Sequence, residues 1–163
     1  MRMKRVLFVC LGNICRSPTA EGVFWHAVEE AGLNRHINVD SCGVGNWHVG
    51  KAPDTRAQSA ALQRGIDISH LRARQLSAND FLDFDYVLGM DRDNLKAMQA
   101  LQPSNSRAHV GLFLDFADMP EAEVPDPYYG GDEGFEHVLN LIEAASAGLI
   151  AQLRKDGLRN DGL

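Results

Sequence analysis

Four short runs rich in apolar and β-branched residues recur along the chain, at 5–10, 37–41, 85–89 and 109–113. The first contains Val6, Leu7, Phe8 and Val9 without interruption. Such a run predicts a strand buried on both faces, as in a parallel sheet. Between these runs the pattern changes to helical spacing. Residues 18–31 place Ala20, Phe24, Ala27, Val28 and Ala31 on one face and stop at Gly32. Further helices are predicted at about 54–64, capped by Asp54 and closed by Gly65, and at 77–82, capped by Ser77. Another spans 91–101, between Asp91 as cap and Pro103. The last, about 132–155, carries Phe135, Val138, Leu139, Ile142, Leu149, Ile150 and Leu153. Strands alternating with helices predict a three-layer α/β/α domain around a mostly four-stranded parallel sheet. The first strand is expected to be central, with its C-terminal end near the topological switch point where such folds bind ligands. The domain is expected to span 1–155, with 156–163 as a frayed tail.

The first strand leads into the segment of interest, VLFVCLGNICRSPTAE at 6–21. Cys10 and Arg16 lie six positions apart there. Between them, Leu11, Gly12, Asn13, Ile14 and Cys15 form a tight loop. Gly12 and Asn13 are residue types that tolerate positive φ. Ser17 and Pro18 read as the N-cap and first position of the next helix. Such a loop can turn backbone N–H groups inward as a nest, with the helix N-terminus adding positive potential. A phosphoryl dianion fits there, and Arg16 can grip two of its oxygens with a bidentate fork. A free cysteine titrates near ~8.5, and at a helix N-terminus beside a cation it falls to roughly 3.5–7.5. Cys10 is therefore expected to be thiolate, placed for in-line attack on phosphorus to give a phosphocysteine that water hydrolyses. No metal or other cofactor is expected, because the loop supplies the charge neutralisation. A nucleotide-binding GxxxxGK[ST] motif is not present.

Composition narrows the classes. The chain has 163 residues, 45% hydrophobic and 23% charged, ordinary for one globular domain with a sizeable core. A net charge of −6, without a Lys/Arg run, argues against a nucleic-acid partner. The apolar stretch near the N-terminus ends in Gly-Asn and then Arg16, with no small-residue cleavage site, and no run reaches membrane-spanning length. Three cysteines, an odd count, fit a reducing cytosol better than a disulfide framework. A zinc site from Cys10, Cys15, Cys42 and a histidine lacks paired ligand spacing.

The segment VCLGNICRSPTAE resembles the signature loop of the low-molecular-weight protein tyrosine phosphatases. The likeness continues in family order through SCGVGNWHVGKAPD (41–54), GIDISHLRARQL (65–76), YVLGMDRDN (86–94) and PDPYYGG (125–131). It covers nearly all of 4–155. It implies the phosphotyrosine phosphatase I-like fold, a phosphotyrosine-containing protein as substrate, no cofactor and a cytoplasmic enzyme, monomeric or weakly dimeric. Bacterial members often reverse autophosphorylation of tyrosine kinases that control polysaccharide export, which makes such a kinase an expected partner.

A general acid must face Cys10 across the phosphoryl group. Residue types alone leave Asp115, Asp118, Asp126 and Asp132 open. The PDPYY match to the family's acid loop selects Asp126. Tyr128 and Tyr129 are expected to wall a slot for a phenyl ring, and the resemblance adds Trp47 and Leu11. Asn13, Ser17, Ser41, His70 and Asp91 are expected around the loop, His70 on the SHLRAR match alone. Asp54 and Asp91 read mainly as helix caps. Cys15 is either loop lining or a redox partner for Cys10. Cys42 stands where the family's vertebrate members usually carry Ala. Two rivals remain. A thiol-dependent arsenate reductase would need two further cysteines beyond Cys42, and there are none. A non-catalytic phosphoryl-binding or phosphocarrier domain would not need the acid.

Overall fold

A computed structural model describes residues 3–119, 122–128 and 130–157. Four parallel strands run in the order β2-β1-β3-β4: β1 (Lys4–Cys10), β2 (Ile37–Gly43), β3 (Tyr86–Gly89) and β4 (His109–Leu112). The helices are α1 (Arg16–Glu30), α2 (Thr55–Leu62), α3 (Asp80–Asp83), α4 (Arg92–Leu101) and α5 (Asp132–Lys155). A 3-10 turn at Phe113–Phe116, which the apolar pattern had merged with the last strand, follows β4.

Strand β1 is central as expected, and Val6, Leu7, Phe8 and Val9 are fully buried. The period-2 alternation of a strand splits them between two cores. Val6 and Phe8 pack with α1, α2 and α5, where Phe8 meets Phe24 edge-on at 5.6 Å. Leu7 and Val9 pack on the other face with Phe81 of α3, Phe84 just past its end and Met98 of α4. This is the three-layer arrangement read from the pattern. Gly32 (φ 72°) and Gly65 (φ 79°) take the left-handed conformation that closes α1 and α2.

Cap assignments held in part. Asp54 accepts from the Arg56 N–H, and Asp91 forms a reciprocal capping box with Asn94. Ser17 is not a cap: α1 begins at Arg16, two residues before the expected first position Pro18, and Ser17 and Pro18 lie inside its first turn. The Ser17 hydroxyl is used elsewhere. Helix α3 likewise starts at Asp80, whose carboxylate instead accepts from the Ser77 N–H. Asp156, expected to open a frayed tail, caps α5 and accepts the Tyr86 hydroxyl. The rest of that tail, 158–163, lies outside the described residues. No helix among the described residues is long and apolar enough to cross a membrane.

Candidate active site

The chain leaves β1 at Cys10, beside Gly43 of β2 and one residue beyond the Val9–Gly89 pairing with β3. The loop from Leu11 to Cys15 then curls over the strand end and enters α1 at Arg16. Only Asn13 among the described non-glycine residues has positive φ, at 58°. Asparagine tolerates this conformation because its side chain can bond locally. Here its amide is fully used. Nδ2 donates to Ser17 Oγ at 2.7 Å and Ser41 Oγ at 3.0 Å, and Oδ1 accepts the Arg74 N–H at 3.0 Å. The Ser41 hydroxyl donates in turn to Glu21 Oε1 at 2.7 Å.

The sulfur of Cys10 lies at the floor of this loop. The Asn13 N–H donates to it at 3.3 Å, and Ser17 Oγ is 3.0 Å away. The rim is held from outside. Val44 and Gly45 N–H groups donate to the Cys10 and Leu11 carbonyls, and the Asp54 N–H donates to the Ile14 carbonyl at 2.8 Å. Gly43 makes this approach possible, because a Cβ there would sit 2.9 Å from the Gly12 carbonyl carbon and 3.0 Å from Asn13 N.

Arg16 is buried at the helix start. Its Nη1 donates to Asp91 Oδ2 at 2.6 Å and to the Val124 carbonyl at 3.1 Å. Burial opposes its charge, and the Cys10 sulfur and Asp91 outweigh that, so the guanidinium stays protonated. Asp91 reaches it because β3 ends at the same edge as β1, and the cap of α4 follows directly. Asp126 Oδ2 lies 3.7 Å from Arg16 Nη2. Its Oδ1 accepts the Tyr128 N–H at 3.0 Å, an Asx turn that fixes the carboxylate.

These groups enclose a cleft of about 420 Å³. Cys10, Leu11, Gly12, Ile14, Cys15, Arg16, Trp47, Asp126 and Tyr128 all line it, as does His48. Asp115, Asp118 and Asp132 do not. Trp47 and Leu11 stand largely exposed at the mouth. Tyr129 lies outside the described residues. Cys15 is buried against the loop and its thiol is pushed up to about 12, by burial first and then by the negative charges of Asp54, Cys10 and Asp126. Burial also pushes the Cys42 thiol up. All three cysteines are free thiols. Among the described residues, no group of three or more His, Cys, Asp or Glu side chains is placed to hold a metal ion.

One expected neighbour is not here. His70 is exposed and lines a separate groove of about 440 Å³ behind α1, with Glu21 and Trp25. The Arg74 backbone, four residues on, takes the contact to Asn13 instead. Arg74 is anchored by a bidentate pair with Asp80, 3.1 Å at each oxygen, and by Asp40. Arg74 and Glu21 both lie inside the matching segments, at the end of SHLRAR and of VCLGNICRSPTAE, but no role was read for either, since one acts through its backbone and the other sits on a helix face. His48 lies within the SCGVGNWHVGKAPD match without an assigned role, and Arg56 lies outside every matching segment.

Comparison with known proteins agrees with this architecture. A family model described as low molecular weight phosphotyrosine protein phosphatase matches residues 5–159. A low molecular weight phosphotyrosine protein phosphatase of Schizosaccharomyces pombe is 52% identical over 133 residues, covering 80% of this chain and 85% of the relative. The low molecular weight protein-tyrosine-phosphatase YfkJ of Bacillus subtilis is 41% identical, covering 94% of this chain and 98% of its own length. The crystal structure of a protein tyrosine phosphatase from Entamoeba histolytica superposes with a TM-score of 0.91 at 36% identity, covering 95% of this chain and 99% of that one. The chain therefore belongs to the low molecular weight phosphotyrosine protein phosphatases, hydrolases that remove phosphate from tyrosine in proteins.

Proposed function

We propose that Cys10 is the nucleophile, Arg16 the phosphoryl-binding cation and Asp126 the general acid and then base. The observation that carries this reading is that Cys10 Sγ accepts the Asn13 N–H and shares one cleft with Asp126, which lies 3.7 Å from Arg16. The Cys10 thiolate attacks phosphorus, and the phosphorus–oxygen bond to the phenol breaks. Asp126 gives its proton to the departing oxygen. Water then attacks the phosphocysteine, Asp126 takes the water's proton, and inorganic phosphate leaves with the thiolate restored. Arg16 Nη1 is occupied by Asp91 and Val124, so the Nε–Nη2 edge is assigned to the phosphoryl oxygens. The N–H groups of residues 11–16 complete the cradle, in which Gly12, Ile14 and Cys15 act through their backbone. Ser17, Asn13 and Ser41 hold it in shape, and Asp91 orients Arg16.

Trp47, Tyr128 and Leu11 make an apolar entrance deep enough to favour a phosphotyrosyl ring over a short phosphoserine. An autophosphorylated bacterial tyrosine kinase is the partner class we assign. The location we assign is the cytoplasm, with the enzyme monomeric or weakly dimeric and the domain spanning 1–155. The test is steady-state hydrolysis of p-nitrophenyl phosphate in EDTA. Wild type should turn over, Cys10→Ser should not, and Asp126→Ala should lose the basic limb of the pH–rate profile. Turnover untouched by Asp126→Ala would favour a phosphocarrier that hydrolyses adventitiously.

A further inference from the structure

Arg56 has no part in the chemistry above and does not line the cleft, yet it joins the two loops that face each other across it. We propose that Arg56 is a positioning residue: it clamps the loop carrying Asp126 to the rim of the phosphate-binding loop, and so matches the enzyme to phenolates that need a proton to leave. The proposal rests on the reading of Asp126 as the acid.

The clamp is built outward from Asp54. The Asp54 N–H is tied to the Ile14 carbonyl of the phosphate-binding loop at 2.8 Å. Its carboxylate caps α2 through the Arg56 N–H at 2.8 Å. The same carboxylate grips the Arg56 side chain at Nε and Nη2, both at 3.1 Å. This fork fixes the plane of the guanidinium before it meets the acid loop. Nη2 then donates to the Tyr128 carbonyl at 2.8 Å and Nη1 to the Gly130 carbonyl at 3.4 Å. The guanidinium also lies over two rings, 4.9 Å from the Phe135 centroid and 5.5 Å from that of Tyr128.

Tyr128 is the residue whose N–H holds Asp126 Oδ1. A continuous path therefore runs from the Ile14 carbonyl through Asp54, Arg56 and the Tyr128 backbone to the acid. Upstream of Asp126 the loop is pinned separately: the Val124 N–H donates to the Met90 carbonyl, and the Val124 carbonyl accepts from Arg16. Arg56 is the counterpart of that pin downstream. Between the pins lie Pro125 and Pro127, which keep the segment stiff. A stiff segment held at both ends positions a carboxylate better than one held at one end. The Arg56 side chain is more than a third exposed, so its ion pair contributes little to global stability. The value of the clamp lies in geometry, where a displacement of about 1 Å can cost on the order of a hundredfold in rate.

The readout is the dependence of kcat/KM on leaving group. A well-placed general acid contributes roughly 10²–10⁴-fold, and only for leaving oxygens that need the proton. In Arg56→Met, kcat/KM for phenyl phosphate should fall by about ten- to a hundredfold, and for 2,4-dinitrophenyl phosphate by about threefold or less. Arg56→Lys keeps the charge without the fork and should recover part of the loss for phenyl phosphate. A uniform loss across leaving groups, or a rise in KM alone, would overturn the clamp and make Arg56 a structural or substrate-binding residue. Asp126→Asn is the control. If it steepens the leaving-group dependence and Arg56→Met does not, the clamp fails while the acid stands. If Asp126→Asn leaves the dependence flat, the acid assignment fails and takes the clamp with it. Should Arg56→Met not fold, Arg56→Lys carries the test, and a leaving-group dependence identical to wild type overturns the proposal.

Discussion

The Ser17 hydroxyl stands 3.0 Å from the Cys10 sulfur while it accepts a 2.7 Å bond from the Asn13 amide. Having accepted from Asn13, it has one proton to give, and two acceptors compete for it: the sulfur, and the Cys42 carbonyl at 3.2 Å. An anionic sulfur wins over a neutral carbonyl. Ser17→Ala removes that donor, so alkylation of Cys10 by iodoacetate at pH 6 should slow by about tenfold, the value of one hydrogen bond to a charged group. An unchanged rate would place the proton on Cys42. The variant also leaves one Nδ2 hydrogen of the buried Asn13 side-chain amide without an acceptor and should lose about 1–3 kcal/mol of stability, read by urea unfolding.

Asp91 performs two tasks that substitution can separate. It caps α4 through the Asn94 N–H, and it holds Arg16 at 2.6 Å. Asp91→Asn keeps an acceptor for the cap and discards the charge. Asp91→Ala loses both, at a further cost of about 1 kcal/mol for the cap. Both variants should lose kcat/KM by at least about tenfold, since a buried guanidinium without its carboxylate shifts from the phosphoryl site. Full activity in Asp91→Ala would mean that the Val124 carbonyl alone orients Arg16.

Glu21 imposes a pH dependence on stability. Its carboxyl is pushed up from 4.5 to about 7, by burial first and by Asp40, against the Ser41 hydrogen bond and Arg74. The folded state therefore holds a proton that the unfolded state has released between those two values. Stability then declines as pH rises through the window and levels off above about 7. Glu21→Gln still accepts from Ser41 but cannot ionise. Its stability relative to wild type should grow from pH 4.5 to about 7, by on the order of 2–3 kcal/mol. A difference that stays constant across that window in chemical denaturation would show that Glu21 is ionised without penalty.

Thiol reactivity should separate the three cysteines. With Cys15 held at about 12 and Cys42 pushed up by burial, brief iodoacetate treatment at pH 7 should label Cys10 alone, and phosphate should protect it. Labelling of Cys15 first, by peptide mass mapping, would assign the nucleophile wrongly here. Because Cys10 and Cys15 line the same cleft, mild peroxide should join them, and a persistent free Cys15 would reject that disulfide.

Gly43→Ala tests the backing of the phosphate-binding loop. The added methyl would meet the backbone of Gly12 and Asn13 at 2.9–3.0 Å, and backbone cannot swing aside as a side chain can. The loop must shift, so kcat/KM should fall by roughly a hundredfold, a loss on the scale of a 1 Å misplacement. Near-normal kinetics would mean that the loop tolerates displacement from behind.

The periodicities alone determined the layers. A short continuous apolar run between turn signals reads as a strand covered on both sides, the face read for the last helix is buried throughout, and that read for the first is buried at Ala20, Phe24 and Val28 and partly at Ala27 and Ala31. The Cys10–Arg16 loop was legible for a similar reason: its chemistry lies within one local segment, where strand end, positive-φ asparagine and helix start are adjacent in sequence. Partners that meet through folding were legible only through resemblance to a family, as with Asp126, or not at all. Arg74 supports Asn13 through its backbone N–H, which no side-chain pattern reports, while His70, four residues earlier, points into another groove. Ser17 read as a helix cap because serine before proline usually is one. Tertiary packing started α1 two residues sooner and turned the hydroxyl to the sulfur. Arg56 fell within the helix predicted at about 54–64 and drew no reading of its own. Its role emerged only when the fold brought α2 against a loop some seventy residues away, because sequence encodes local geometry directly and distant contacts only through the packing that closes them.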